Sequence, residues 1–236
     1  MLLGAVIESI DRRGKYIIFT FQPGSRLIVH LRMTGRFRLH LPTAKRGAHD
    51  RLILLVEGGA LSERSLLVLV DTRQFARAVF LVSGNVKAHP GIAKLGPEAD
   101  HVTETQLRRI LARSHRPIKS LLLDQTALAG LGNIYADESL HASGIHPLTP
   151  SDIVDRGQVR RLRSAISRIL GQAILACGTT FDSFSDLSGE AGGFAPHLAV
   201  YSRTDSPCKT CQTPIQRITL SGRSAHFCSH CQPPVV

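Results

Sequence analysis

Two cysteine pairs near the C-terminus limit this 236-residue chain more than any other feature. Cys208, Cys211, Cys228 and Cys231 are spaced C-x2-C-x16-C-x2-C. Two residues between thiolates let both reach one ion from a tight turn, and two such turns joined by a hairpin close a tetrahedral S4 site. The protein fills all four positions, so the expectation is one structural zinc, with disulfides or free thiols as the alternative. His226 and His230 are possible substitute ligands, but four cysteines leave them no vacancy, and they are read as surface or packing residues. Between the pairs lie two short strands around Ser221-Gly222-Arg223. A hairpin of this length does not hold itself rigid in water, so a metal at its base would fix the direction of Arg223. A solvated turn arginine remains the other reading of that residue. Cys177 stands apart and is expected to be a buried free thiol.

The charge balance adds a partner class. Lys and Arg number 29 against 18 Asp and Glu, a net +11, which calls for a polyanion: nucleic acid first, an anionic membrane surface second. No apolar run reaches membrane-spanning length, and "MLLGAVIESI" has no basic lead and is interrupted by Glu8, so it is a poor signal peptide. The expectation is a cytoplasmic protein with no membrane partner. Twenty of the 29 basic residues fall in three groups: residues 12–51, Arg108 to Lys119, and Arg156 to Arg168. Any one group reads as a solvated face, but three on different elements favour a broad phosphate-binding groove.

With 43% hydrophobic residues the chain can bury a core without help from its cysteines. "AVIESI", "KYIIFTF", "RLIVHLRM", "RLILLV", "SLLVLV" and "ARAVFLV" read as short strands joined by turn chemistry, which predicts a sandwich or barrel. Beyond residue 100 the period becomes helical. Thr103 and Gln106 have capping-box spacing, 117–124 reads as a second helix, and "GLGNIYADESLHASGIHP" as a loop, a third helix and a stop at Gly144. The longest helix is predicted from about Asp155 to Cys177, with Val159, Leu162, Ile166, Ile169, Leu170, Ala173 and Ile174 as its apolar stripe. The class is α+β, in three parts: 1–98, 99–198 and 199–236.

"VYSRTDSPCKTCQTPIQRITLSGRSAHFCSHCQ" resembles the zinc finger of the formamidopyrimidine-DNA glycosylases and their endonuclease VIII relatives. "AGLGNIYADESLHASGIHP" is similar to their helix–two-turn–helix motif. "RRGKYIIF", "HLRMTGRF" and "DTRQF" are similar to their N-terminal signatures, and "CGTTFDSF" is closer to the glycosylase branch. The matches run in order from about Ile7 to Gln232. The resemblance implies an antiparallel β-sandwich, a helical DNA-binding domain and a β-hairpin finger. It implies excision of oxidised purines, such as 8-oxoguanine and formamidopyrimidines, from damaged double-stranded DNA, then strand nicking by β,δ-elimination. By the same resemblance Lys15 is the proton donor in β-elimination, and Arg223 serves δ-elimination and phosphate binding. Met33, Arg73 and Phe75 fill the gap left by a flipped nucleotide, His49 contacts DNA, and Lys119 and Asn133 clamp the backbone. A monomer is the expected state.

The physical logic is compatible. A base inside a duplex must be extruded before chemistry, and an apolar wedge can occupy the vacated stack. From the residues alone, Met33 and Phe75 also read as core, Asn133 as a helix N-cap and Lys15 as a solvated lysine. His115 and "DTRQFA" depart from the family pattern, and no stretch matches the family's N-terminal proline and glutamate. The expectation is therefore that this chain, which starts the pattern partway into the first domain, is inactive or impaired in base excision. The alternatives are a non-catalytic zinc protein that binds damaged DNA, an endonuclease VIII-like glycosylase for oxidised pyrimidines, and a structural zinc ribbon of an RNA complex.

Overall fold

The computed structural model describes residues 2–82, 85–181 and 185–234, so the Asp-Ser-Phe of "CGTTFDSF" lies outside the described residues. The chain forms two compact units: residues 1–88 with 173–196, and residues 89–172 with 197–236. The sequence suggests three segments instead. Leu39 N donates to Leu187 O at 2.9 Å, which ties the late loop to the strands.

The first unit is an antiparallel sandwich. One sheet has the order β1 (Ile7–Arg13), β2 (Tyr16–Phe21), β3 (Ser25–His30), β7 (Arg77–Leu81). The other places β6 (Ser65–Val70) between β4 (Arg36–His40) and β5 (Asp50–Val56). Alternating side chains of both sheets meet in one core: Phe19, Phe21, Leu27 and Val29 face Phe37, Leu67 and Leu69, with the Phe19 and Phe37 rings edge to face at 5.7 Å. Strand β4 is not anticipated by the sequence. In "RFRLH" only Phe37 is buried, so its inward signal is one residue long.

In the second unit, α1 (Pro90–Ala93) precedes α2 (Glu104–Leu111), which begins with the expected capping box between Thr103 and Gln106. Then follow α3 (Ile118–Leu122), α4 (Asn133–Ser143), which stops at left-handed Gly144, and α5 (Arg156–Leu175). Leu107, Leu111, Ile118, Leu122, Leu140, Leu162 and Ile166 build its core. The predicted stripe on α5 holds except at its end, where Ile174 is 69% exposed. Cys177, expected to be buried, is exposed at φ +54°, because the helix has already ended at Leu175. The hairpin β8 (Ile215–Leu220) and β9 (Arg223–Cys228) completes the unit.

Candidate nucleic-acid interface and metal centre

In the sandwich unit, two loops are organised around one buried carboxylate. Asp71 follows β6 and is fully buried. It accepts a hydrogen bond from the Thr34 hydroxyl, one from Ala76 N at 2.7 Å and one from Arg73 N at 3.3 Å. Burial works against its charge, but these donors outweigh burial and hold its carboxyl below the ordinary aspartate range. Asp71 N also donates to His49 O at 2.9 Å. One residue thus pins the "RMTG" turn, the "TRQF" turn and the backbone of His49.

These loops present two large apolar side chains and an arginine to solvent. Met33 is 69% and Phe75 55% exposed, and the Arg73 guanidinium lies over the Phe75 ring at 5.1 Å. Neither apolar residue is core. Gly35 makes the first turn possible: a Cβ there would meet Leu31 O at 2.4 Å. Gln74, between the other two, sits at φ +58°, which turns Arg73 and Phe75 outward in sequence. His49 is exposed, with its ring 3.5 Å from the Arg51 guanidinium.

Lys15 occupies the two-residue turn between β1 and β2 and is partly buried. The next residue, Tyr16, pairs with His30, their rings edge to face at 4.7 Å. His30 Nδ1 accepts from Arg32 N at 3.0 Å. Burial, then the charges of Arg32 and Lys15, push the His30 pKa down to about 4. His30 is therefore a neutral, half-buried ring beside Lys15 at neutral pH. Nothing in the sequence singles it out.

The second unit holds the arginine of the finger in a different way. Ser221 and Gly222 both adopt left-handed backbone, φ +50° and +75°, as a two-residue hairpin turn requires. Arg223 follows at the tip, exposed, with no hydrogen-bond or ion-pair partner among the described residues. Directly behind it the strand is clamped. Ser224 O accepts from Lys119 Nζ at 2.5 Å and from Asn133 Nδ2 at 3.1 Å. Asp137 takes Lys119 Nζ on one oxygen at 2.5 Å, and on the other His226 N at 2.9 Å and His226 Nδ1 at 3.2 Å. Lys119 is 1% exposed. Burial holds its ammonium below the ordinary lysine range, against the pull of Asp137. The resemblance casts Lys119 as a backbone clamp. Here its ammonium is spent on protein groups and fixes the finger instead.

Asn133 is the first residue of α4, not its cap; Gly132 takes the cap position and offers no side chain to the first-turn N–H groups. A cleft of about 320 Å³ lies beside these residues, lined in part by Arg116, Lys119, Ser120, Ser221 and Arg223. His115 is tied to Asp152 at 2.9 Å.

The four cysteine sulfurs lie within 4.8 Å of one another. Individual separations are 3.4 Å for Cys211–Cys228, 3.5 Å for Cys211–Cys231 and 3.9 Å for Cys208–Cys231. A tetrahedron with zinc–sulfur bonds of about 2.3 Å asks for edges of about 3.8 Å. Hydrogen bonds with Thr213 draw the Cys211 thiol down to about 6, while burial and the neighbouring sulfurs push Cys231 far up. Such crowding of thiolates calls for a cation. The site is also tied to the helices. His141 Nε2 lies 3.6 Å from Cys208 Sγ, and Gln232, fully buried, bonds Cys228 N at 3.0 Å and Ile145 O at 2.7 Å. Glu138 of α4 accepts the backbone N–H groups of Ala199, Val200 and Tyr201 at 2.8–2.9 Å.

A sandwich with an exposed apolar–arginine loop pair, and a helical unit carrying a four-cysteine finger, define a zinc-containing protein of the helix–two-turn–helix class. Comparison with known proteins makes this specific. Residues 1–78 match the formamidopyrimidine-DNA glycosylase N-terminal domain, 95–185 its H2TH domain and 205–234 the zinc finger found in FPG and IleRS. A formamidopyrimidine-DNA glycosylase of Synechococcus sp. is 45% identical over 235 residues, covering 96% of this chain and 82% of the relative. That of Desulfitobacterium hafniense is 38% identical, covering 97% and 82%. The crystal structure of the MutM (FPG) protein from Thermus thermophilus superposes with a TM-score of 0.87 at 37% identity, covering 97% of this chain and 84% of that one. Lactococcus lactis Fpg in complex with DNA containing an abasic site gives 0.87 at 36% identity, covering 98% and 83%. The chain belongs to the formamidopyrimidine-DNA glycosylase family, and its four cysteines form one structural zinc site.

Asp71, Asp137, Glu138 and Gln232 escape the sequence reading. Each carries a polar side chain into a buried place, and a single sequence gives no sign of which acids are buried. The one available hint is position: Asp71 ends an apolar strand and opens "DTRQF".

Proposed function

We propose that this protein acts in base-excision repair as a DNA glycosylase and abasic-site lyase on oxidised purines in double-stranded DNA. The observation that carries the reading is the exposed set of Met33, Arg73 and Phe75 on turns fixed by Asp71. Exposing two large apolar side chains costs burial energy in the free protein. A duplex with an extruded nucleotide offers the gap that takes them. His49, on the same unit, supplies a further DNA contact, and Asn133 with the open first turn of α4 grips a phosphate. Lys15 moves the proton in β-elimination, with His30 neutral beside it and competing for no charge. Arg223 stabilises a phosphate oxyanion and serves δ-elimination. The protein works as a monomer and within the cell. Among the described residues, no helix is long and apolar enough to cross a membrane.

Borohydride trapping tests the chemistry on two duplexes, one bearing 8-oxoguanine and one an abasic site. Residues 1–236 contain no counterpart of the family's proline nucleophile, which attacks the sugar as a free amine. A polypeptide of these residues is expected to give no adduct on the first duplex and a slow one on the second, where the aldehyde is already exposed. Efficient trapping on 8-oxoguanine would place a glycosylase nucleophile within residues 1–236 and overturn that expectation. Equal affinity for damaged and intact duplex would overturn the repair reading itself.

A further inference from the structure

The arginines of α5 do not share one surface. Arg163 Nε donates to Val102 O at 3.2 Å, and Arg156 lies 4.0 Å from Glu104. Arg160, Arg161 and Arg168 instead line a separate groove of about 350 Å³ with Ala142, Ser164 and Ala165. Arg161 has a partner within the fold, since its Nε donates to Ser143 O at 3.2 Å, on the last turn of α4. Arg160 and Arg168 have none. Both are exposed, and neither has a hydrogen-bond or ion-pair partner among the described residues.

Helix stability does not account for them. The residues four away from Arg160 are Arg156 and Ser164, and those four away from Arg168 are Ser164 and Gln172, so no acid offsets either charge. The first turn of α5 has no acidic residue and its last turn no basic one; the acid at its start, Asp155, caps Gln158 N at 2.8 Å and lies a full turn from Arg160. The groove also has apolar lining, the exposed Ala142 and the buried Ala165. A phosphate backbone gains nothing from such a lining, whereas a small aliphatic side chain does. Its place on α4 points the same way. Ser143 is the last residue of α4 and Asn133 the first, so the groove sits about 15 Å along the axis from the phosphate-gripping end.

We propose that this groove docks an acidic segment of a partner protein, with two carboxylates flanking a small apolar side chain. Arg160 and Arg168 are separated by about 12 Å of helix rise, which an extended peptide spans in about four residues. The segment therefore reads Asp or Glu, three residues with an aliphatic one among them, then Asp or Glu. This site is distinct from the residues proposed to grip DNA; its separation from them rests on that reading, whereas its two unpaired arginines do not.

The test is fluorescence anisotropy with the zinc-loaded chain and a fluorescein-labelled peptide, Gly-Ser-Asp-Gly-Leu-Gly-Asp-Gly-Ser, against the same peptide with Asn for both Asp. The expected result is binding of the Asp peptide about tenfold tighter than the Asn peptide. Arg160→Glu with Arg168→Glu should abolish that difference, and a saturating duplex should leave it unchanged. Arg160→Gln with Arg168→Gln is read instead if thermal melting shows the first variant to be unfolded. Equal binding of the two peptides, or a difference that survives either double variant, overturns the proposal. Displacement by duplex, with a matching loss of duplex affinity in the variant, would make the groove a nucleic-acid surface and overturn it as well.

Discussion

Arg73 and Arg223 are both exposed arginines at tight turns, yet they are held by opposite means. Arg73 belongs to a turn whose backbone N–H groups converge on Asp71, a buried carboxylate with no ion-pair partner among the described residues. Arg223 rides on a hairpin with cysteine turns at its base and the Lys119–Asp137 pair behind its tip. The first arrangement fixes a loop with dipoles and stacks the guanidinium on Phe75. The second fixes a strand with formal charges and leaves the guanidinium unpaired among the described residues. On the proposed function the stacked Arg73 is a shape element for a gap in a base stack, and the unpaired Arg223 a charge for a phosphate. The perturbations below strain one arrangement and spare the other.

Metal loss is the largest. For small zinc modules the binding free energy, about 10–16 kcal/mol, is folding energy. Cys208→Ser should release the zinc and unfold residues 208–231, while the sandwich keeps its amide protection. Metal analysis and hydrogen exchange report both, and a finger that stays protected without metal would contradict the account. Lys119→Met comes next. It removes the lysine charge from the buried Asp137, which keeps only His226 as partner, at a cost of about 3–5 kcal/mol. Asp137→Leu in the same chain should recover much of that loss in a melting experiment, because the pair and not the lysine alone is at stake. Recovery is absent if Lys119 matters only by its packing.

Asp71→Asn should cost less, about 1–3 kcal/mol, since the amide keeps the shape but turns donors toward donors. Its signature is local: faster exchange at Arg73 and Ala76, with the finger unaffected. Acid provides the gentlest test. The folded carboxyl of Asp71 titrates below its unfolded value of about 3.9, so its contribution is present above that pH and is lost as pH falls through the folded value. His30 has the same sign at higher pH. The unfolded ring binds a proton near 6.5 and the folded ring only near about 4, so stability falls as pH drops across that interval. His30→Gln should reduce the dependence of Tm on pH between 6.5 and 4, while His141 and His146, also held below the ordinary histidine range by burial, keep part of it.

The fold was legible where the sequence repeats a signal. The Thr103–Gln106 box, the Gly144 stop and the α5 stripe each combine several residues, and each falls where the pattern puts it, Ile174 apart. The zinc ligands were legible because spacing alone sets their geometry. Strand β4 was not, because one buried phenylalanine among basic residues carries no period. The buried acids were not, because Asp71 and Asp137 look like any polar residue until the chain closes over them. Lys119 misled for the same reason: a lysine in a basic stretch reads as a surface cation, and only the fold reveals the carboxylate that draws it inward. Cys177 went the other way, exposed by a helix that ends two residues before it.

The division between the two arginines is tested most directly by one binding experiment. Wild type, Arg73→Ala and Arg223→Ala are titrated onto an intact duplex and one with a stable abasic-site analogue, at several salt concentrations. Arg73→Ala should cut the preference for the damaged duplex by roughly tenfold, about 1.4 kcal/mol, with little change in salt slope. Arg223→Ala should weaken both duplexes alike and reduce the slope by about one, as loss of one phosphate contact requires. Equal changes in preference and slope for the two variants would contradict the account, because Arg73 would then be only another phosphate contact.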